Sequence, residues 1–267
     1  MMKRILIAGY GRMGALLGDL LIGDNEIAIY DTGIRMEDAP LSFVRLSQPE
    51  EAAEFKPDIL LNCTSPESTI TSFDQFLPFL PGGCILADIA SVKSSLPEYY
   101  SSAGVKFVSL HPMFGPTFAN RDNLKGLNCI IIAESEKEGR EFFSSFFSRF
   151  GIDVQELSFA EHDMLMSKVL AVPFITTLLF TVGSEAELPG GTTYNRHLEI
   201  ARGLFSENRA MLAGILANRY NAEQAVKMLE SLKRLVPMLE KHDTDAIEGY
   251  IAECAKKFRG AATPDPQ

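Results

Sequence analysis

The 267-residue sequence contains few cysteines and no excess of positive charge, and both shortages narrow the possible functions. Its four cysteines show no metal-like spacing, and three lie in apolar, strand-like runs, which favours buried free thiols over a metal site. The formal net charge of −10 argues against nucleic acid as the main partner. A small anionic substrate would therefore need a local cluster of Arg or Lys side chains.

The sequence also lacks long apolar runs, targeting signals, internal repeats and low-complexity tracts. We find no run long enough to span a bilayer, and residues 1–5 enter a short strand rather than the apolar core of a signal peptide. We therefore expect a cytoplasmic protein without a membrane partner. The hydrophobic content of 46% is ordinary for a globular protein with a sizeable core, and the length favours two domains.

Strand-like and helical patterns alternate in the first part of the chain, whereas only helical patterns follow residue 161. This predicts an α/β domain with a mainly parallel sheet over 1–157, an all-helical domain over 158–260 and a flexible tail over 261–267. Pro173 and Pro237 should kink or interrupt two helices. The predicted strands are 3–8, 26–30, 58–63, 84–89, 106–110, 128–133 and 152–157. The predicted helices are 12–22, 67–80, 137–150, 161–187, 193–217, 222–241 and 244–258.

A glycine-rich turn follows the first predicted strand and opens the first predicted helix. Gly9 permits the tight turn, Gly11 lets the backbone approach a pyrophosphate, and Gly14 lets the helix pack on the strand. Asp31 ends the second strand, where a carboxylate accepts both ribose hydroxyls of an adenosine and repels a 2′-phosphate. The pattern predicts a Rossmann-type site for NAD rather than NADP, although Arg35 could hold a 2′-phosphate. The cofactor-binding candidates of the turn are Gly9, Tyr10, Gly11, Arg12, Met13 and Gly14.

Three further strand ends should meet the same crevice, because ligands bind beyond the carboxyl ends of parallel strands. Thr64 and Ser65 are candidates for the nicotinamide-side ribose. Ser91 is a candidate for the nicotinamide end or for a substrate hydroxyl. Lys93 is either an anion contact at a helix start or a solvated lysine. His111 follows the next strand, and a neutral imidazole there can take the proton of a hydroxyl while its carbon loses hydride.

These pieces resemble the prephenate dehydrogenase family of tyrosine biosynthesis, which also includes arogenate and cyclohexadienyl dehydrogenases. The matching segments are the glycine turn at 9–14, Asp-Ile-Ala-Ser-Val-Lys at 88–93, His-Pro-Met-Phe-Gly-Pro at 111–116 and Glu-His-Asp at 161–163. They occur in family order, and the second and third are far more specific than the glycine turn. The resemblance covers nearly the whole chain.

The resemblance implies an NAD-dependent oxidative decarboxylation of prephenate to 4-hydroxyphenylpyruvate, with arogenate as the alternative substrate. Hydride would leave C4 while His111 accepts the hydroxyl proton, Ser91 would hold that hydroxyl or His111, and carbon dioxide would leave C1. The family places a carboxylate-binding arginine near Arg219, and Lys93 and Thr117 are further candidates for substrate binding. Weaker candidates are Arg202, Arg196, His197 and Lys168. The resemblance also implies a homodimer through the helical domain. From the residues themselves we expect no metal site.

The segment at 161–163 and the residue at 174 can each be interpreted in more than one way. Glu161, His162 and Asp163 are adjacent at a helix start and do not face one point, so we expect capping and interdomain hydrogen bonds rather than a metal or catalytic cluster. Phe174 stands where many family members carry a histidine near the substrate, which makes the substrate side-chain pocket hard to read. A non-catalytic NAD(H)-binding sensor is the alternative from another class, and it would bind cofactor without turnover.

Overall fold

The computed structural model describes residues 2–33, 39–93, 95–115, 122–185 and 188–259. These residues form an eight-stranded sheet with helices around it. The strands are β1 (Arg4–Ala8), β2 (Glu26–Tyr30), β3 (Val44–Arg45), β4 (Ile59–Asn62), β5 (Ile85–Asp88), β6 (Phe107–Pro112), β7 (Asn128–Ile132) and β8 (Asp153–Leu157). The helices are α1 (Arg12–Leu21), α2 (Ala52–Phe55), α3 (Thr69–Phe76), α4 (Leu96–Ala103), α5 (Lys137–Arg149), α6 (Phe159–Met166), α7 (Val172–Val182), α8 (Thr192–Phe205), α9 (Arg209–Leu216), α10 (Asn221–Glu240) and α11 (Thr244–Arg259).

The sheet confirms the predicted fold class. Its order is β3-β2-β1-β4-β5-β6-β7-β8, and neighbouring strands run parallel except for the antiparallel pair β6–β7. All seven predicted strands are present, with ends shifted by at most two residues. The prediction missed β3, because two exposed residues carry no alternating pattern.

Alternation along β1 shows how the two faces of the sheet become buried. Ile5 and Ile7 belong to one apolar cluster, whereas Leu6 and Ala8 belong to a second, and all four are at most 1% exposed. Successive side chains of a strand point to opposite faces, so helices must cover both. This burial explains why the strands read as nearly continuous apolar runs in the sequence.

The strand order reverses at β1, which pairs with β2 on one side and with β4 on the other. Connections that leave β1 and β4 therefore diverge, and a crevice opens at their carboxyl ends. The glycine turn leaves β1 at this edge, and the ends of β2, β4, β5 and β6 lie along it.

In the helical part, the helices are interrupted at other positions than predicted. The predicted helix 193–217 is two helices, α8 and α9, because the Asn208 side chain caps α9 by accepting hydrogen bonds from Ala210 N and Met211 N. A π-helical turn, Ser167–Ala171, joins α6 to α7 and precedes Pro173 at the first turn of α7. α10 continues through Pro237 to Glu240, so the expected interruption there is wrong.

The continuous helix Phe159–Val182 also corrects the expectation that no apolar run is long enough to cross a membrane. By length and composition this helix qualifies: an 18-residue window has a mean hydropathy of 1.8, and only 17% of that window is buried within the chain. Helices of this length and composition also occur in soluble proteins, where another protein surface covers the apolar side chains. The sequence estimate missed it because polar residues such as His162, Asp163 and Lys168 interrupt the run.

The chain divides into two compact units, residues 1–218 and 219–267. The first unit holds the sheet and α1–α9. In the second unit α10 and α11 pair through a hydrogen bond between the Ser231 and Tyr250 hydroxyls at 2.6 Å and an ion pair between Arg234 and Glu253 at 2.6 Å. The predicted domain boundary near residue 157 stays a prediction, and the predicted tail lies outside the described residues.

Candidate active site

The glycine turn has the geometry that a pyrophosphate requires. Gly9 has φ +91°, which glycine adopts readily, and a Cβ at this position would lie 2.7 Å from Thr64 N. A Cβ at Gly14 would lie 2.1 Å from the Gly9 carbonyl oxygen, so α1 can approach β1 only with glycine there. A Cβ at Gly11 would meet no atom of the described residues within 4 Å. The described residues therefore leave the backbone before α1 accessible, and the positive end of the helix dipole favours an anion there.

A cleft of about 510 Å³ lies beside this turn. The ends of β1, β2 and β4 contribute to its lining, together with the residues that lead into α3. Asp31 is fixed at its rim, because Tyr10 N donates to Oδ2 at 2.5 Å and Gly33 N donates to Oδ1 at 2.6 Å. Predicted cofactor-binding residues that line the cleft are Gly9, Gly11, Asp31, Thr64 and Ser65.

The remaining residues of the turn face elsewhere. The Tyr10 side chain is 5% exposed and packs edge-on against Phe43, so only its backbone lies at the turn surface. Met13 packs against the apolar cluster that contains Ile5 and Ile7, on one face of the sheet. Arg12 is exposed at the first position of α1. Among these three predicted contacts, Arg12 is the one with an exposed side chain.

A buried ion pair occupies the end of β5. Lys93 Nζ lies 2.5 Å from Asp88 Oδ1 and donates to the Leu110 carbonyl at 2.6 Å, and the side chains of both partners are fully buried. The Tyr100 hydroxyl donates to the other Asp88 oxygen at 2.8 Å. Burial lowers the pKa of Lys93, and the Asp88 carboxylate opposes this shift. The interpretation of Lys93 as a solvated lysine is therefore wrong, because its side chain is buried and ties the end of β5 to β6. Its role as a substrate contact stays a prediction.

His111 lies within β6, which ends two residues later than predicted, and it is 7% exposed. Its Nδ1 lies 2.9 Å from His162 Nε2, and His162 Nδ1 lies 3.0 Å from Asp163 Oδ1. The Asn218 side chain donates to the Asp163 carbonyl at 2.8 Å. Two elements distant in sequence, β6 and α6, thus form one hydrogen-bonded row of side chains.

The electrostatics of this row keep His111 neutral. Burial lowers its pKa well below the usual 6.5, and the positive charge of Lys93 acts in the same direction. Burial also lowers the pKa of His162, while its hydrogen bond with Asp163 opposes the shift. A neutral buried imidazole is a proton acceptor near physiological pH, so His111 can act as a general base.

The residues of the Glu-His-Asp segment, 161–163, point in different directions and make different contacts. Glu161 forms a capping box with Ser158, which confirms the expected capping role. His162 is fully buried and bonds to His111, which is one of the expected hydrogen bonds between the two predicted domains. The sequence did not identify His111 as the partner, because 51 positions separate the two histidines.

The other predicted substrate and catalytic residues are more scattered. Ser91 is half-buried just beyond β5, and the pairing of Asp88 with Ser109 aligns that end with the end of β6 that carries His111. Arg219 begins the second unit, where its guanidinium lies 4.8 Å above the Tyr220 ring. Phe174 is half-buried in α7. Thr117 and Arg35 lie outside the described residues. The weaker cationic candidates Lys168, Arg196, His197 and Arg202 are all exposed in the isolated chain.

Comparison with known proteins identifies relatives of this arrangement. A family model described as prephenate dehydrogenase, nucleotide-binding domain, matches residues 37–148, which include both Ser91 and His111. A probable arogenate/prephenate dehydrogenase of Methanocaldococcus jannaschii is 30% identical over 230 residues, which are 79% of this chain and 50% of that protein. The chain spans about half the length of the curated relatives it matches.

Solved structures share the fold over nearly the whole chain. The prephenate dehydrogenase from A. aeolicus, in complex with hydroxyphenyl propionate and NAD+, superposes with a TM-score of 0.77 at 20% identity, over 98% of this chain and 99% of that one. The Synechocystis arogenate dehydrogenase superposes with a TM-score of 0.75 at 14% identity, over 97% of this chain and 100% of that one. At these identities the likeness shows the fold.

Proposed function

The chain belongs to the prephenate dehydrogenase family, and from this premise we propose that it catalyses NAD-dependent oxidative decarboxylation of prephenate to 4-hydroxyphenylpyruvate. The observation that carries the proposal is His111, a buried neutral imidazole on the strand beside Ser91, at the same sheet edge as the glycine turn. The structure of the A. aeolicus relative contains NAD+ and a phenolic acid, which agrees with this pairing of ligands.

The residues of the cleft fit a dinucleotide. Gly11 leaves the start of α1 open to a pyrophosphate, and Gly9 and Gly14 could not carry a side chain there. Asp31 is held by two backbone N–H groups, so its carboxylate is positioned for ribose hydroxyls and would repel a 2′-phosphate. Thr64 and Ser65 line the same cleft and supply hydroxyls. NAD is therefore the cofactor that we propose.

His111 would remove one proton from the substrate. When bound, NAD+ supplies the hydride acceptor. The C4 hydroxyl of prephenate gives its proton to His111 as the C4–H bond breaks and hydride leaves. The C1 carboxylate then leaves as carbon dioxide, and its bonding electrons complete the aromatic ring and move to the C4 oxygen. That oxygen takes back a proton, which gives the phenol of the product. Since aromatisation drives the reaction, the chain needs mainly to orient the substrate and accept this proton. Ser91 is the proposed hydrogen-bonding partner of the hydroxyl or of His111, and Arg219 and Thr117 are the proposed substrate contacts.

Arogenate is the second candidate substrate, and the two relatives that include arogenate in their names support it. Arogenate differs from prephenate in carrying an amino acid rather than a keto acid side chain, and its product would be tyrosine. Phe174 provides no polar group for either side chain. The hydride-transfer chemistry is the same for both substrates.

A homodimer in the cytoplasm completes the proposal. In the first unit, apolar side chains stay exposed on α7 and α8, and Val182 reaches 85% exposure. In the second unit, four apolar residues at helical spacing on α10 are 40–50% exposed: Leu229, Leu232, Val236 and Leu239. Exposed apolar faces of this kind mark association surfaces, and a second copy of the chain would cover them.

A two-by-two assay tests the proposed reaction. Prephenate and arogenate are each supplied with NAD+ or NADP+, and reduced cofactor and carbon dioxide are measured together. We expect the highest kcat/KM with prephenate and NAD+, with one carbon dioxide released per cofactor reduced. Cofactor binding without turnover in any of the four combinations would favour the sensor alternative instead.

A further inference from the structure

The row from His111 through His162 to Asp163 restricts where protons can reside. A carboxylate only accepts hydrogen bonds, so Asp163 Oδ1, 3.0 Å from His162 Nδ1, requires a proton on that nitrogen. His162 is neutral when its other nitrogen, Nε2, carries a lone pair. Nε2 lies 2.9 Å from His111 Nδ1 and must then accept a hydrogen bond from a proton on that nitrogen.

One tautomer of His111 follows from this arrangement. With the proton on Nδ1, the lone pair of neutral His111 lies on Nε2, the nitrogen that can serve as the base. The opposite tautomer would place two lone pairs against each other at 2.9 Å in a buried site, which is unfavourable. The hydrogen bond from Asn218 to the Asp163 carbonyl holds the far end of the row in place.

We propose that His162, oriented by Asp163, is a positioning residue that fixes the tautomer of His111 and so makes Nε2 its basic nitrogen. The inference rests on the proposed function for its catalytic consequence. His162 is fully buried and touches His111 rather than substrate, so its contribution is indirect. A carboxylate–histidine pair that sets the tautomer of a catalytic group can contribute several orders of magnitude to turnover, about 10⁴-fold in serine proteases.

Nitrogen NMR of the resting protein tests the tautomer without any turnover. The chain has four histidines, so long-range ¹H–¹⁵N spectra can be assigned by single substitutions. We expect neutral His111 to carry its proton on Nδ1 in the wild type and to lose this preference in the H162L variant. A proton on Nε2 of wild-type His111 would overturn the inference. Because this readout needs no substrate, an inactive wild type would refute the proposed function alone.

A double-mutant cycle tests the coupling to activity. The Gln side chain of H162Q can offer its carbonyl oxygen near the position of Nε2, so this variant should retain most of the wild-type kcat, whereas H162L should lose at least about tenfold. D163N should lower kcat in the wild-type background but have little further effect in the H162Q background, where no imidazole needs orienting. Cofactor affinity should stay unchanged throughout.

The exposed His242, between α10 and α11, supplies the matched control. It adopts a positive φ of 53°, which Asn tolerates, so H242N should behave as wild type in both experiments. Equal kcat for H162Q and H162L, or an equal effect of D163N in both backgrounds, would contradict a positioning role. Such results would leave His162 as a packing residue.

Discussion

Apolar side chains are buried in the sheet, whereas many of them are exposed on the helices that follow it. Along β1, Ile5, Leu6 and Ile7 are all 0% exposed, whereas on α10 Leu229 and Leu232 are each 49% exposed. The sheet completes its own core from residues of the same chain. Helix α10 repeats apolar residues at helical spacing but leaves them exposed within the chain. Chemistry and stability should therefore depend on the sheet edge, and assembly on the exposed faces of the helices.

The largest effect is expected at the sheet edge, from H111N. Removal of the base should reduce kcat by about 10²–10⁴-fold, because general base catalysis typically contributes that much. NAD affinity should be unchanged, since His111 is not among the residues that line the cofactor cleft. Steady-state kinetics and calorimetric titration with NAD measure the two quantities. Near-normal turnover would remove His111 from the mechanism.

The second prediction separates stability from binding at the same edge. K93M should lower the free energy of unfolding by about 3–5 kcal/mol, because it leaves the fully buried Asp88 carboxylate without its cation. The double variant K93M/D88N should recover part of this loss, as measured by denaturant unfolding. An unchanged stability with a raised KM for substrate would restore Lys93 as a ligand-binding residue.

The glycine turn offers a matched pair of substitutions. G14A places a Cβ 2.1 Å from the Gly9 carbonyl, so it should weaken NAD binding and cost about 1–3 kcal/mol of stability. G11A meets no atom of the part of the chain that the structure describes within 4 Å, so it should weaken NAD binding while leaving stability nearly unchanged. Thermal unfolding with and without NAD compares the variants. Equal stability losses for both would show that ligand access is not what distinguishes them.

The fourth prediction addresses the helices. L232E should convert the proposed dimer to monomer with little loss of secondary structure, because Leu232 contributes an exposed apolar side chain rather than core packing. The control K241E adds a negative charge at an exposed position beyond the end of α10 and should leave the mass unchanged. Light scattering measures both. A monomeric wild type would refute the proposed dimer.

The smallest effect concerns acid stability. The pKa values of His111 and His162 are lowered in the folded chain from the usual 6.5, so their neutral forms stabilise the fold fully above that pH. This contribution should be lost progressively as the pH falls below 6.5, because the unfolded chain then binds more protons. Unfolding titrations of wild type and H162Q should diverge below this pH. Parallel curves would show that His162 does not contribute to the acid sensitivity.

Much of the first unit could be predicted because its signals are local. Apolar runs of four to six residues predict buried strands, and Gly9, Gly11 and Gly14 between a strand and a helix predict the turn that the structure contains. The break between α8 and α9 was missed, although Asn208 is a common capping residue, because a continuing apolar pattern concealed it.

The order of strands and helices, the glycine turn and the histidine at the end of β6 can all be derived from local sequence patterns, since each depends on neighbouring residues. The ion pair of Lys93 with Asp88 and the contact of His162 with His111, 51 positions apart, become visible in the folded chain alone. Burial and hydrogen-bond partners depend on which surfaces meet in space. A pattern along the chain specifies a face of a helix or strand, but not what that face will touch.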